Sequence, residues 1–211
     1  QYITVRDAAM LASAVIRDYP EYYRWYSQKE FTWNGITQQN RNGLLWRDPS
    51  VDGVKTGHTK SAGYCLVVSA KRGDMRLVSA VMGTDSMRAR EDANAALLNY
   101  GYNFFETKRI FAAGQPLTSV RVWKGAEPEV ALTLKRDLYV TGQRGRMGSV
   151  QAEFELPEHL IAPLSAETAL GKARIVVEGS TIAAHDLYAV QDVQRGGVFR
   201  RATDSVKLWF D

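Results

Sequence analysis

The chain has 211 residues, 45% of them hydrophobic and 24% charged, enough to bury a core and to hold one large domain or two small ones. Its 27 Lys and Arg against 23 Asp and Glu give a formal charge of +4. Without any long basic run, that balance argues against nucleic acid and suits an anionic polymer or a membrane surface. No apolar stretch approaches the roughly 20 residues of a membrane-spanning helix. A single cysteine, Cys65, excludes an intrachain disulfide, and its apolar run Gly63 to Val68 reads as a strand with a buried, inert thiol. His58, His159 and His185 lie far apart without metal-ligand spacing, so no metal site is expected.

Thr4-Val5-Arg6-Asp7 reads as a capped helix start, with Val5, Ala8, Ala12, Val15 and Ile16 at helical spacing up to Pro20. Gln1 opens directly into this pattern, so the chain reads as cut at its front. A second short helix over residues 20–26 carries Tyr22, Tyr23, Trp25 and Tyr26, expected to be packing rather than a stacking platform. Phe31-Thr32-Trp33 is a predicted strand and Asn34-Gly35 a turn. Asn40 to Gly43 form a polar turn leading into the anchor Leu44-Leu45-Trp46.

The stretch Val51 to Thr59 reads as a strand whose glycines, Gly53 and Gly57, mark a bulge or the close approach of a ligand or backbone. Lys55 and Thr56 place a cation and a hydroxyl beside that gap, which suits an anionic substrate; an ordinary strand ending in a polar turn is the competing reading. Tyr64 to Ala70 and Met75 to Met82 follow as apolar strands joined through Lys71-Arg72-Gly73-Asp74, which makes three antiparallel strands in a row. Ser86 to Tyr100 is a predicted helix with Met87, Ala93, Ala96, Leu97 and Tyr100 on one face and Gly101 as its stop. From Thr107 the pattern becomes short alternating strands: 119–123, 130–134, 138–141, 150–156, 173–177 and 183–190. They predict a small all-β domain, sandwich or barrel-like. Residues 204–211, with Val206, Leu208, Trp209 and Phe210, read as the stub of an amphipathic helix.

Taken in order, these elements resemble a family: the low-molecular-mass penicillin-binding proteins, serine D-alanyl-D-alanine carboxypeptidases with a C-terminal β-sandwich. The residues carrying the likeness are Lys55-Thr56-Gly57 within 51–59, Asn40 to Trp46, Ala62-Gly63-Tyr64, Met75-Arg76-Leu77, Ser79 to Gly83, Arg90-Glu91 and Phe104 to Thr107. Gly142 to Met147 and Ala162-Pro163-Leu164 extend it into the second domain. The resemblance implies an α+β fold. Residues 1–106 would be the back half of a β-lactamase/transpeptidase-like domain, an antiparallel sheet with helices. Residues 107–211 would be a small β-sandwich-like domain ending in the start of an amphipathic anchor.

The family's nucleophile motif, S-x-x-K, and its S-x-N motif are both missing: no serine here has lysine three residues on or asparagine two residues on. The chain alone is therefore expected to be inactive, its nucleophile and base lying upstream of Gln1 in a longer parent. By resemblance Lys55 sits opposite the nucleophile, Thr56 and Arg90 are the pair that holds the substrate's terminal carboxylate, and Gly57 also binds substrate, a plain surface role being the alternative for Arg90. His58 lends its backbone N–H, not its ring, to the oxyanion hole. Arg41 either lines the site or braces its turn.

The implied reaction trims D-alanyl-D-alanine from peptidoglycan stem peptides through an acyl-enzyme, which β-lactams also form. The implied setting is the periplasm, at the inner-membrane surface, with no cofactor and no nucleic acid. The alternative is a non-catalytic peptidoglycan- or partner-binding protein with a degenerate pocket; a β-lactamase is disfavoured by the appended β-domain.

Overall fold

The structure, a computed structural model, describes residues 2–146, 150–177 and 179–210. Gln1, Met147 at the end of the 142–147 stretch, and Asp211 lie outside the described residues. The chain divides into two compact units, Gln1–Glu106 and Thr107–Asp211.

In the first unit, α1 (Val5–Asp18) starts where the Thr4 hydroxyl accepts the Asp7 N–H at 3.1 Å, satisfying an orphan donor of the first turn. Pro20 opens the short α2 (Pro20–Tyr23) at a position that needs no N–H, and the chain continues as a 3-10 turn over Arg24–Ser27. β1 (Glu30–Trp33) and β2 (Ile36–Gln39) form a hairpin closed by Asn34 and Gly35, both at positive φ, as a tight hairpin turn requires. One turn of helix, α3 (Leu44–Arg47), buries Leu44 and Leu45. Three antiparallel strands follow in the order β3 (Val51–Thr59), β4 (Gly63–Arg72), β5 (Met75–Thr84). The core gathers Leu44, Leu45, Val51, Leu66, Val68, Ala70, Met75, Leu98 and Tyr102.

The helix after β5, α4 (Met87–Phe104), differs from the sequence reading in two ways. Its buried face is Arg90, Asn94, Leu98, Gly101 and Tyr102, while Met87, Leu97 and Tyr100 are exposed. A side chain such as Asn94 can face inward here because its hydrogen bonds are made. Asn94 donates to the Leu66 carbonyl at 3.2 Å and accepts from the Ser79 hydroxyl at 2.6 Å. Nor does Gly101 stop the helix: it lies inside it, buried, and a Cβ there would come within 2.5 Å of Leu77 Cδ1. The glycine serves a close helix–strand approach.

The second unit carries β6 (Phe105–Phe111, which begins just before the boundary), β7 (Thr118–Trp123), β8 (Glu129–Thr133), β9 (Leu138–Gln143), β10 (Val150–Glu155), β11 (Leu160–Ile161), β12 (Ala169–Val177) and β13 (Ser180–Ala189). β6 pairs with β9, and the other six form one sheet in the order β10-β12-β13-β8-β7-β11, antiparallel except for β11 on β7. β6 and β11 were not anticipated; neither shows clean alternation. A shared apolar core includes Val122, Leu132, Leu138, Ile175, Leu187 and Val193.

The terminal helix α5 spans Val198–Lys207, six residues earlier than the sequence reading placed its start. Asp204, taken there for a helix start, is a buried mid-helix residue whose carboxylate accepts the Lys124 N–H at 2.7 Å.

Candidate active site

The Lys55-Thr56-Gly57 segment runs along β3, whose other side has no strand partner among the described residues. Opposite it on β4 stand Val67, Leu66 and Cys65, and His58 faces Tyr64. The Lys55 side chain is exposed, its Nζ donating to the Thr56 carbonyl at 2.6 Å. Thr56 is half-buried and Gly57 exposed. Among the described residues a Cβ on Gly57 would meet only Cys65 Cβ, at an ordinary 3.6 Å, so none of them crowds that glycine.

Gly53 is the crowded one: a Cβ there would lie 2.5 Å from the Tyr23 hydroxyl, beside a break in register between Val51 and Gly53. The close approach read from the sequence is thus the chain's own tyrosine at Gly53, together with a bulge. Tyr23 donates to Asp52 at 2.7 Å, and Arg76 bridges Asp52 and the Ser69 hydroxyl at 2.8 and 2.6 Å. Burial, with the Asp52 carboxylate as acceptor, pushes the Tyr23 phenol far above the ordinary tyrosine range.

Arg90 is buried, only 3% exposed, which removes the plain surface reading. Its guanidinium donates to the carbonyls of Gly57 (3.2 Å), Cys65 (3.3 Å) and Arg41 (3.1 Å), and its Nε is buried without a hydrogen-bond partner. The side chain therefore ties β3, β4 and the loop before α3 together from behind the strand. Among the described residues no hydrogen bond joins it to Thr56. The His58 ring is exposed and lies 4.0 Å from the Tyr64 ring, tilted by 31°, with no acidic side chain bonded to it among the described residues.

Arg41 presents an exposed side chain into the same cleft as Lys55 and Thr56, a space of about 650 Å3 walled by Tyr19, Tyr22, Trp25 and Tyr26. The aromatic cluster is thus divided. Tyr23 packs, while Tyr22 and Trp25 are half exposed and meet edge-on at 5.2 Å along the cleft wall. Cys65 is half-buried rather than buried, with its Sγ 3.3 Å from the Ala62 carbonyl. His159 packs edge-on against Trp123 in the second unit, and His185 is exposed.

Residues that carry the family likeness, but to which the sequence reading gave no role, hold this arrangement. Asn42, 2% exposed, donates to the Gly53 carbonyl at 3.0 Å and accepts the Leu44 N–H at 3.2 Å. Glu91 accepts the Gly43 N–H at 3.2 Å. Only the Asn-rich turn and the glycine beside it hinted at such a loop.

Residues 1–86 match the sequence model of the D-alanyl-D-alanine carboxypeptidase family, and residues 105–195 that of the penicillin-binding protein 5 C-terminal domain. The chain belongs to the D-alanyl-D-alanine carboxypeptidase family of low-molecular-mass penicillin-binding proteins. It is 43% identical to the D-alanyl-D-alanine carboxypeptidase DacA of Escherichia coli (strain K12) across 100% of this chain and 53% of that protein. With DacA of Haemophilus influenzae the identity is 41%, over 99% of this chain and 54% of the relative. The solved structure of penicillin binding protein 5 from Haemophilus influenzae superposes with a TM-score of 0.76 at 41% identity, over 92% of this chain and 58% of the other. The chain spans about half the length of these curated relatives. The α+β class, helices and antiparallel strands followed by a β domain, agrees with that family.

Proposed function

We propose that this chain forms one wall of the active site of a serine D-alanyl-D-alanine carboxypeptidase, with the nucleophile supplied from outside these 211 residues. The observation that carries the reading is an open strand edge, β3, that lines one cleft with Lys55, Thr56 and Arg41, in a chain of this family. An unpaired edge can take an extended peptide as an added strand, bonded through main-chain groups. Lys55 and Arg41 then supply positive charge for the carboxylates of a peptidoglycan stem peptide, and the Thr56 hydroxyl adds a directional contact. Arg90 lends its charge from behind β3 and keeps the Gly57 carbonyl in place.

The His58 N–H is one oxyanion donor, aimed where charge develops as the serine attacks. Peptide cleavage passes through an acyl-serine, and β-lactams acylate the same group. The second unit is a β-sandwich-like domain of residues 107–211, and the catalytic part ends near residue 106.

The setting we propose is the periplasmic face of the inner membrane. No helix of the described residues is long and apolar enough to cross a membrane. On α5, however, Val198, Phe199 and Val206 are exposed, as are Trp209 and Phe210 just beyond it. The opposite side, Arg200 and Asp204, bonds to Ala126 and Lys124. An apolar stripe turned outward beside Arg201 and Lys207 suits binding in the plane of a lipid interface.

The test is labelling by a fluorescent penicillin. The 211-residue chain alone is expected to form no covalent adduct, whereas the protein encoded by the whole gene is expected to carry S-x-x-K and S-x-N and to label. A gene without those motifs, or one whose product stays unlabelled, would leave the non-catalytic binding protein as the better reading.

A further inference from the structure

We propose that Glu91 is a positioning residue: through the 40–43 loop it holds the Arg41 guanidinium at the cleft, where it meets a carboxylate of the peptide substrate. The consequence for activity rests on the carboxypeptidase reading above, while the brace itself rests on geometry.

A long cation on a loose loop samples a wide volume and contributes little to recognition; fixing its backbone narrows that volume. The loop is fastened at several points. Arg90 holds the Arg41 carbonyl at 3.1 Å, Asn40 accepts the Asn42 N–H at 3.0 Å, and Asn42 reaches the Gly53 carbonyl on β3 at 3.0 Å. At the loop's near end Asn40 also donates to the carbonyls of Tyr26 and Gln28 at 3.3 and 3.0 Å, and at its far end the fastener is Glu91, whose Oε1 accepts the Gly43 N–H at 3.2 Å.

Two features separate Glu91 from the others. First, among the described residues its bonds go to the loop and to Arg47 of α3 and none goes to β3, whereas Arg90 and Asn42 each grip both. Loss of Glu91 thus loosens the Arg41 loop while leaving the strand's own ties in place. Second, the contact is close: a Cβ on Gly43 would sit 2.5 and 2.7 Å from the two carboxylate oxygens, so a side chain there would displace the Glu91 carboxylate. The loop backbone is seated directly on that carboxylate.

A simple ion pair with Arg47 is a poorer account of Glu91. That contact is 3.3 Å, and Arg47 already has Asp92 at 2.7 Å. The Glu91 side chain is 12% exposed against 49% for Asp92, as befits a group that holds backbone.

The experiment uses the protein encoded by the whole gene, with Glu91→Ala, Glu91→Gln, Arg41→Ala and the double variant Glu91→Ala/Arg41→Ala. Hydrogen exchange should quicken over residues 40–44 in Glu91→Ala with residues 54–58 unchanged, and Glu91→Gln should restore protection because its amide oxygen still accepts the Gly43 N–H. On a peptide ending in D-alanyl-D-alanine, Glu91→Ala should lose roughly ten-fold in kcat/KM, mainly through KM. Arg41→Ala should lose a similar factor, and the double variant no more than either single one, because the two act in series. Multiplying losses, a glutamine no better than alanine, or exchange rising equally over 54–58 would overturn the proposal. A wild-type protein that hydrolyses no peptide would sink the carboxypeptidase reading instead, and the exchange pattern alone would then decide the brace.

Discussion

Among the described residues, five polar or charged side chains are buried in the first unit, Asn42, Ser69, Ser79, Arg90 and Asn94, against Thr133 and Asp204 in the second. The units are of nearly equal length, so the difference lies in how each is held. In the first, interior side chains reach across to main-chain carbonyls: Arg90 to Gly57, Cys65 and Arg41, Asn94 to Leu66, and Asn42 to Gly53. In the second, Val122, Leu132, Ile175 and Leu187 meet in an apolar core. Apolar contact is non-directional and tolerates small shifts, whereas a hydrogen bond fixes distance and angle. The unit that carries the cleft is built for position, and the β domain for cohesion.

The sharpest way to break that contrast is a cavity in the second unit. Ile175 has no exposed surface, and Ile175→Ala should cost about 2–5 kcal/mol in denaturant unfolding. Below that transition, penicillin acylation by the protein encoded by the whole gene should stay at its wild-type rate. A parallel fall in acylation would show that the β domain controls the site's geometry after all.

A smaller but more local effect is expected at His58. His58→Pro removes the backbone N–H, and loss of one oxyanion donor costs about 3 kcal/mol, or a hundred- to thousand-fold in turnover. His58→Ser keeps the donor and loses only the ring that lies on Tyr64, so it should retain substantial activity. Melting curves must accompany both, because proline also disturbs β3. A folded, inactive serine variant that loses one limb of the pH–rate profile would make the imidazole the acid–base group.

The features legible in the sequence were those decided by neighbours in the chain. Thr4 and Asp7 announce a helix start, Asn34-Gly35 a hairpin, and the alternation of 64–70 and 75–82 a pair of strands, because caps, turns and pleats are local. Lys55-Thr56-Gly57 was legible as a motif. Its supports were not, since each depends on residues distant in the chain. Arg90 and Asn94 count as polar in any periodicity, and only partners distant in the chain, the carbonyls of Arg41, Gly57, Cys65 and Leu66 and the Ser79 hydroxyl, explain their burial. Gly43, Gly53 and Gly101 were visible as glycines, but what approaches them is Glu91, Tyr23 and Leu77. The outward stripe of α5 was missed at its front because Arg200 and Arg201 interrupt the apolar run, although Val198 and Phe199 fall on the exposed side.

The smallest effect expected is at Tyr23, and it sharpens the contrast by pH. Its hydroxyl donates to Asp52, which Arg76 also holds, so Tyr23→Phe should cost only about 1 kcal/mol near neutral pH. Burial raises the folded-state value of the phenol above its unfolded one, with the neighbouring Asp52 carboxylate acting the same way. The neutral form is thus favoured by folding. This contribution is fully present below the unfolded value of about 10 and is lost as pH rises from there through the folded one. Wild type must therefore weaken above pH 10 by a term that phenylalanine lacks, while deprotonation of lysines affects both proteins alike. The stability gap measured by denaturant unfolding should shrink between pH 9 and 11 and then change sign. A gap that stays constant across that range would mean that the Tyr23 hydroxyl reaches solvent, and that the ties behind β3 are looser than the contrast between the two units requires.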